Sequence, residues 1–195
     1  MIIATVGMPG SGKSTVSEYL REKGFQFIKF GRITLDEVKK RGLEPTEENE
    51  RKIREEIRKK HGMGAYAILS IPKINELKKK GNVVIDGLYS WEEYLELKKK
   101  YGDELFVLCL YSPPKTRYER LTKRPSDYPD VGDRKFDEET VKKREHAEIE
   151  KMNKGGPIAM ADYTILNIKK EKDMLNEVDD IIEELKINGG LEEPG

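Results

Sequence analysis

Cysteine is almost absent from this chain of 195 residues; Cys109 stands alone. That excludes an internal disulfide and any metal centre built from several thiolates. Cys109 falls within the apolar run LFVLCLY and reads as a core residue rather than a reactive thiol. A net charge of either sign is also missing, with 37 lysines and arginines against 37 aspartates and glutamates. No global field draws the protein to nucleic acid or to an anionic membrane. Long apolar runs are lacking as well. The opening MIIATV is too short for a membrane span or a secretory leader, so a cytoplasmic protein is expected. Charge itself is plentiful, at 38 % of residues, and is dominated by lysine and glutamate, as in heat-adapted proteins. The length suits one domain with its own core.

Against this background one segment stands out. GMPGSGKS, comprising Gly7, Met8, Pro9, Gly10, Ser11, Gly12, Lys13 and Ser14, fits the phosphate-loop pattern G-x-x-x-x-G-K-[ST], and Thr15 follows. An apolar strand-like run precedes it and an amphipathic stretch follows, which is the context the pattern requires. Glycines let the main chain curl so that several N–H groups point inward as a nest for anions. The helix behind adds its positive end. Lys13 is placed to reach the outer phosphates, and the Ser14 hydroxyl to hold Mg²⁺. A nucleoside triphosphate, ATP with Mg²⁺, is the expected ligand.

Strand-like and helix-like segments alternate, which predicts a parallel sheet covered by helices. The expected strands are Ile2 to Val6, Phe25 to Phe30, Asn82 to Asp86, Leu105 to Tyr111 and Asp162 to Asn167. The first helix is expected from Lys13 to about Lys23, with Gly24 as its stop. Further helices are expected over Thr34 to Arg41, Thr46 to Lys60, and Ala65 to Lys80, where Pro72 should kink or restart the chain. Trp91 to Tyr101 reads as helical. Ser112 is the expected N-cap of a helix that begins with prolines and runs to about Lys123. Ser126 to Asp137 reads as a loop, and a charged helix follows to Asn153. In the last helix, Lys172 to Lys186, Met174, Leu175, Val178, Ile181, Ile182 and Leu185 share one face. The organisation is thus one domain over 1–187, with an acceptor-binding insert at about 31–66, a lid at about 124–144 and a disordered tail at 188–195.

A second set of residues bears on chemistry. Arg117, Arg120 and Arg124 follow the fourth strand, then Arg134 and Arg144. Phosphoryl transfer spreads negative charge over oxygens, and a mobile arginine-bearing segment closing over the triphosphate would stabilise it and exclude water. Asp86 ends a buried strand near the loop, where it can hold a water on Mg²⁺ or orient an acceptor. His61, beside two glycines, reads as a helix-terminal residue. The lysine runs at 78–80 and 98–100 read as solvated helix ends, so nothing favours a nucleic-acid partner.

The phosphate loop, the Asp86–Gly87 pair, the segment YERLTKR and the closing ADYTILN resemble P-loop small-molecule kinases, between nucleoside monophosphate kinases and dephospho-CoA kinases. The chain is most similar to an archaeal group described as dephospho-CoA-kinase-like or adenylate-kinase-related. The resemblance implies a five-stranded parallel sheet of order 2-3-1-4-5. It implies Arg120 stacking on adenine, and Arg124 and Arg144 as lid arginines on phosphates. DGLYS resembles the adenylate kinase stretch beside the acceptor phosphate. One departure is Arg32, which stands after the second strand where many relatives carry an acid, with Asp36 a turn later. The leading expectation is phosphoryl transfer from ATP to a small nucleotide-like acceptor, with catalytic Lys13, Arg120, Arg124, Arg144 and Asp86, and with Mg²⁺ on Ser14 and Asp86. A dephospho-CoA hydroxyl is the alternative, and Asp36 or Asp86 would then serve as base. A regulatory ATPase is the second alternative. A guanine-reading Asn-Lys-x-Asp stretch is absent.

Overall fold

The computed structural model describes residues 1–123 and 137–188. Arg124, Arg134, most of the expected loop at 126–137 and the expected tail at 189–195 lie outside the described residues. Five strands form one parallel sheet of order β2-β3-β1-β4-β5. They are β1 (Ile2–Val6), β2 (Gln26–Lys29), β3 (Val83–Asp86), β4 (Leu105–Tyr111) and β5 (Tyr163–Leu166). The helices are α1 (Lys13–Glu22), α2 (Arg32–Lys40), α3 (Glu47–His61), α4 (Ala65–Lys78), α5 (Trp91–Tyr101), α6 (Pro114–Thr122), α7 (Glu138–Met152), α8 (Gly155–Ala159) and α9 (Glu171–Asn188).

Alternation along β1 divides the core. Ile2, Ala4 and Val6 face a cluster with Ile74 and Leu77 of α4 and Leu97 of α5. Ile3 faces the opposite cluster, with Val16 and Leu20 of α1 and Met174, Val178, Ile182 and Leu185 of α9. Successive side chains leave a strand on opposite faces, so a strand buried on both sides is largely apolar, as β1 is; its one polar side chain, Thr5, shares a hydrogen bond of 3.1 Å with the Ser17 hydroxyl. Each fully buried leucine or isoleucine contributes roughly 2 kcal/mol. Cys109 belongs to the first cluster and is 2 % exposed.

Two local expectations are corrected. Ser112 does not cap α6; Pro113 occupies the N-cap position with no side-chain bond, and the Ser112 hydroxyl donates to Asn167 O at 2.7 Å instead. A tertiary carbonyl outcompetes the local helix end. Pro72 does not restart α4, which runs through it as one helix. Residues 155–159, which lie between the expected charged helix and the expected last strand, form a short helix of their own, α8.

The sheet is clamped at its β4–β5 edge by Asp162. Its main-chain N–H donates to Val107 O at 2.9 Å, and its carboxylate accepts from Val107 N at 2.7 Å. On the other side of α8, the chain packs tightly on α5. A Cβ at Gly156 would lie 2.6 Å from Trp91 Cε3, so only glycine allows that approach. Gly156→Ala is expected to cost about 1–3 kcal/mol through overpacking. Urea unfolding followed by the emission of Trp91 measures both the loss and the disturbed indole.

Candidate active site

A parallel sheet brings the C-terminal ends of its strands to one edge, and the loops there form a crevice. The β1–α1 loop lies in its middle because β1 is the central strand. Gly10 and Gly12 show why the loop needs glycine, at φ +79 and +104. A Cβ at Gly10 would lie 2.8 Å from Arg117 O, and one at Gly12 would lie 2.4 Å from Asn167 Nδ2. Within the curl, Ser11 N donates to Met8 O at 3.2 Å, and Lys13 Nζ folds back to the same carbonyl at 3.0 Å. The buried Ser11 hydroxyl has no hydrogen-bond partner among the described residues.

Opposite the loop stands Asp86, 3 % exposed. Ser14 Oγ donates to its Oδ2 at 3.3 Å, and Lys29 Nζ lies 3.6 Å from the same oxygen. The β2–β3 register sets Lys29 directly across from Asp86. The two residues expected to hold Mg²⁺, Ser14 and Asp86, are therefore adjacent. Among the described residues, no group of three or more acidic, histidine or cysteine side chains could hold a metal alone. An oxygen pair beside a phosphate nest is what Mg²⁺ uses, since it keeps water and phosphate oxygens as its other ligands.

On the β4–β5 side a cleft of about 300 Å³ opens beside the loop. Gly10 and the loop residues from Gly12 to Thr15 line it together with Arg120, Asn167, Lys169, Glu171 and Met174. Arg120 is fixed there. It donates to Ser112 Oγ at 2.9 Å, Asn167 O at 3.1 Å, Asn167 Oδ1 at 3.3 Å and Gly10 O at 3.4 Å. Asn167, which the sequence reading passed over as a strand end, donates its amide to Ser11 O at 2.9 Å. Asparagine directly after an edge strand beside a glycine loop was the available signal.

The arginines divide. Arg117 is 3 % exposed and is tied to Glu145 and to Ser112 O, so it braces α6 against α7 rather than facing ligand. α6 ends at Thr122 with Lys123 as its C-cap. Arg144 Nε lies 3.2 Å from Glu148 Oε1 on α7. Arg32 and Asp36 pair with each other at 2.9 Å and are both exposed. His61 is exposed in the last turn of α3.

Charges missed in the sequence gather on the β3 side. Lys154, 1 % exposed, pairs with Glu148 and lies 4.9 Å from the centre of the Tyr89 ring. Burial drives the Lys13 ammonium down to about 7, the Lys154 charge adds to this, and Glu148 and Asp86 oppose it. Burial alone would raise Glu148, but the Lys154 and Arg144 charges prevail and hold it at about 2. Glu93, fully buried, accepts from Tyr89 N at 2.9 Å and Ser90 N at 3.3 Å, and faces Arg58 at 3.8 Å.

Burial pushes the Glu93 carboxyl up from 4.5 to about 7, against the lowering effect of those N–H bonds and of Arg58. The fold then binds a proton there that the unfolded chain releases. That stabilisation is complete below about 4.5 and is lost as pH rises through about 7. At most about 3 kcal/mol is involved. Glu93→Gln keeps an oxygen for both N–H groups, so the slope of unfolding free energy against pH is expected to flatten between pH 5 and 8 when measured in urea.

Comparison with known proteins agrees with this geometry. A family model described as "AAA domain" matches residues 3–153. The UPF0200 protein PH1008 of Pyrococcus horikoshii is 39 % identical over 170 residues, covering 86 % of this chain and 88 % of that one. A UPF0200/UPF0201 protein of Archaeoglobus fulgidus is 36 % identical over 98 % of this chain, which spans only 58 % of that protein's length. The solved gluconokinase of Sinorhizobium meliloti 1021 superposes with a TM-score of 0.57 at 15 % identity, covering 95 % of each chain, and shows the shared fold. With its central phosphate loop, 2-3-1-4-5 sheet and whole-length similarity to archaeal relatives, the chain belongs to the AAA domain family of P-loop proteins and, within it, to the UPF0200 group.

Proposed function

We propose that this protein is an ATP- and Mg²⁺-dependent phosphotransferase acting on a small nucleotide-like acceptor. The observation that carries the choice of acceptor is the state of the two carboxylates open to a base role. Asp86 is held by Lys29 and Ser14, and Asp36 by Arg32. A general base needs an oxygen within hydrogen-bond reach of the proton it takes, and each of these carboxylates already faces a donor of its own. A hydroxyl acceptor needs a base, whereas a phosphate oxygen is already ionised and needs none. The site therefore suits a monophosphate-type acceptor better than a dephospho-CoA hydroxyl.

In this reading the loop N–H groups and Lys13 hold the triphosphate, and the nucleobase lies in the cleft beside Arg120 and Asn167. Magnesium, when bound, neutralises phosphate charge, and Ser14 and Asp86 are the side chains that would hold it. Lys13 must leave Met8 O to reach the phosphates. Arg144 serves the transferred group from α7. Arg124 would serve from the lid at about 124–144, and the acceptor lies over the α2–α3 insert at about 31–66. These assignments use positioning and fixed charge, the two means by which phosphoryl transfer is accelerated.

Incubation of pure protein with MgATP and a panel of nucleoside monophosphates and dephospho-CoA tests the reading. Transfer to at least one monophosphate is expected. Transfer to dephospho-CoA alone, or hydrolysis without transfer, would replace it by one of its two alternatives. Lys13→Ala is expected to lower turnover by about 100-fold or more. Its melting temperature should stay close to that of the wild type, because Lys13 belongs to neither apolar cluster and its ammonium bonds within the loop, to Met8 O.

A further inference from the structure

The couple formed by Lys154 and Glu148 is hard to account for as a stabilising element. Lys154 is 1 % exposed and Glu148 5 %. Burying two charges costs several kcal/mol per ion, and a well-packed apolar pair often serves stability as well or better. The other Lys–Glu pairs of α7, Lys142–Glu138 and Lys143–Glu139, are exposed. Among the described residues Glu148 and Lys154 turn inward together, and they turn toward the site, whereas the other buried pair of α7, Glu145 with Arg117, braces α6.

The local chain is built to aim it. Asn153 ends α7 in the left-handed conformation, at φ +49, and Lys154 N returns to Glu148 O at 3.3 Å. Gly156 then docks α8 against Trp91. This fixes the Lys154 backbone from both sides. Its ammonium is brought over the ring of Tyr89, in the loop directly after Asp86. That loop follows β3, on the far side of β1 from the β4–β5 cleft. Among the described residues the cations near it are Lys13, Arg144 and Lys154, and the anions are Glu148, Asp86 and Glu93, with Lys29 beside Asp86 and Arg58 beside Glu93. Glu148 is shared between Lys154 and Arg144, so an incoming anion can take over the ammonium without leaving Glu148 unpaired.

We propose that Lys154 is a further phosphate-binding residue, holding the anionic group of the acceptor, and that Glu148 occupies its ammonium until that group arrives. The inference rests on the phosphotransferase reading and adds to it a residue on the acceptor side. Glu148 is an internal anion that holds Lys154 and Arg144 in place while no ligand is bound. An acceptor phosphate beside Tyr89 takes over the ammonium, and Glu148 retains Arg144.

Calorimetry on protein saturated with Mg²⁺ and a non-hydrolysable ATP analogue tests this, with AMP and inorganic phosphate as probes and adenosine as the uncharged control. The analogue fills the phosphate loop, so the probes report the second anion seat. Lys154→Met is expected to weaken AMP or phosphate binding by ten-fold or more. Lys154→Arg should remain within about three-fold of wild type, and binding of the analogue should change less than three-fold in both. Should the single variant fail to fold, Lys154→Met with Glu148→Gln removes both charges together and should show the same selective loss. Wild-type affinity for the probes in that double variant would overturn the proposal. So would saturation of the wild type by the analogue with no binding of either phosphate probe. Failure of the analogue itself to bind would instead remove the phosphotransferase reading on which the proposal stands.

Discussion

The contact between the Asn167 amide and the Ser11 carbonyl holds the site together. It joins the edge strand of the sheet to the glycine loop at its centre. The bond has consequences in both directions. On one side it requires glycine at position 12, where a Cβ would overlap the amide. On the other, the Asn167 carbonyl fixes Ser112 and Arg120, and so the wall of the cleft. A loop of glycines has high conformational freedom. Tertiary hydrogen bonds from a rigid strand end remove that freedom before ligand arrives, so less of the ordering cost falls on binding.

Charge is arranged on the same principle. More than a third of this chain is ionisable, and most of it is solvated or paired within helices, as in Lys52–Glu48 and Lys142–Glu138. Such pairs contribute little to stability. Several of the charges taken out of water lie around the crevice: Asp86 with Lys29 and Ser14, Glu148 with Lys154 and Arg144, and Glu93 with Arg58. In low dielectric each such group acts strongly on its neighbours, and burial together with these charges moves Lys13 and Glu148 below and Glu93 above their ordinary pKa values.

Function and fold meet at the turn between α7 and β5. ADYTILN contains Asp162, which seals β5 to β4, and Asn167, which pins the loop. The few residues before it carry Lys154 and Gly156, which bring α8 onto α5. One segment thus connects the nucleotide cleft, the sheet edge and the β3 side of the site.

The sequence by itself determined the strands, the order of alternation and the loop. Apolar runs such as VVID and LFVLCLY have no stable place except inside a sheet, and GMPGSGKS has local geometry that glycine alone dictates. Ser14, Lys13, Asp86 and Arg120 were legible for the same reason, since each lies at the end of an element whose boundary is locally encoded. Tertiary structure alone decided which charges are buried. Lys154, Glu148 and Glu93 look no different in sequence from dozens of solvated lysines and glutamates. Ser112 looked like a cap and became a partner of Asn167, a residue distant in sequence. A charge's environment is set by whatever packs across from it, and no local pattern records that.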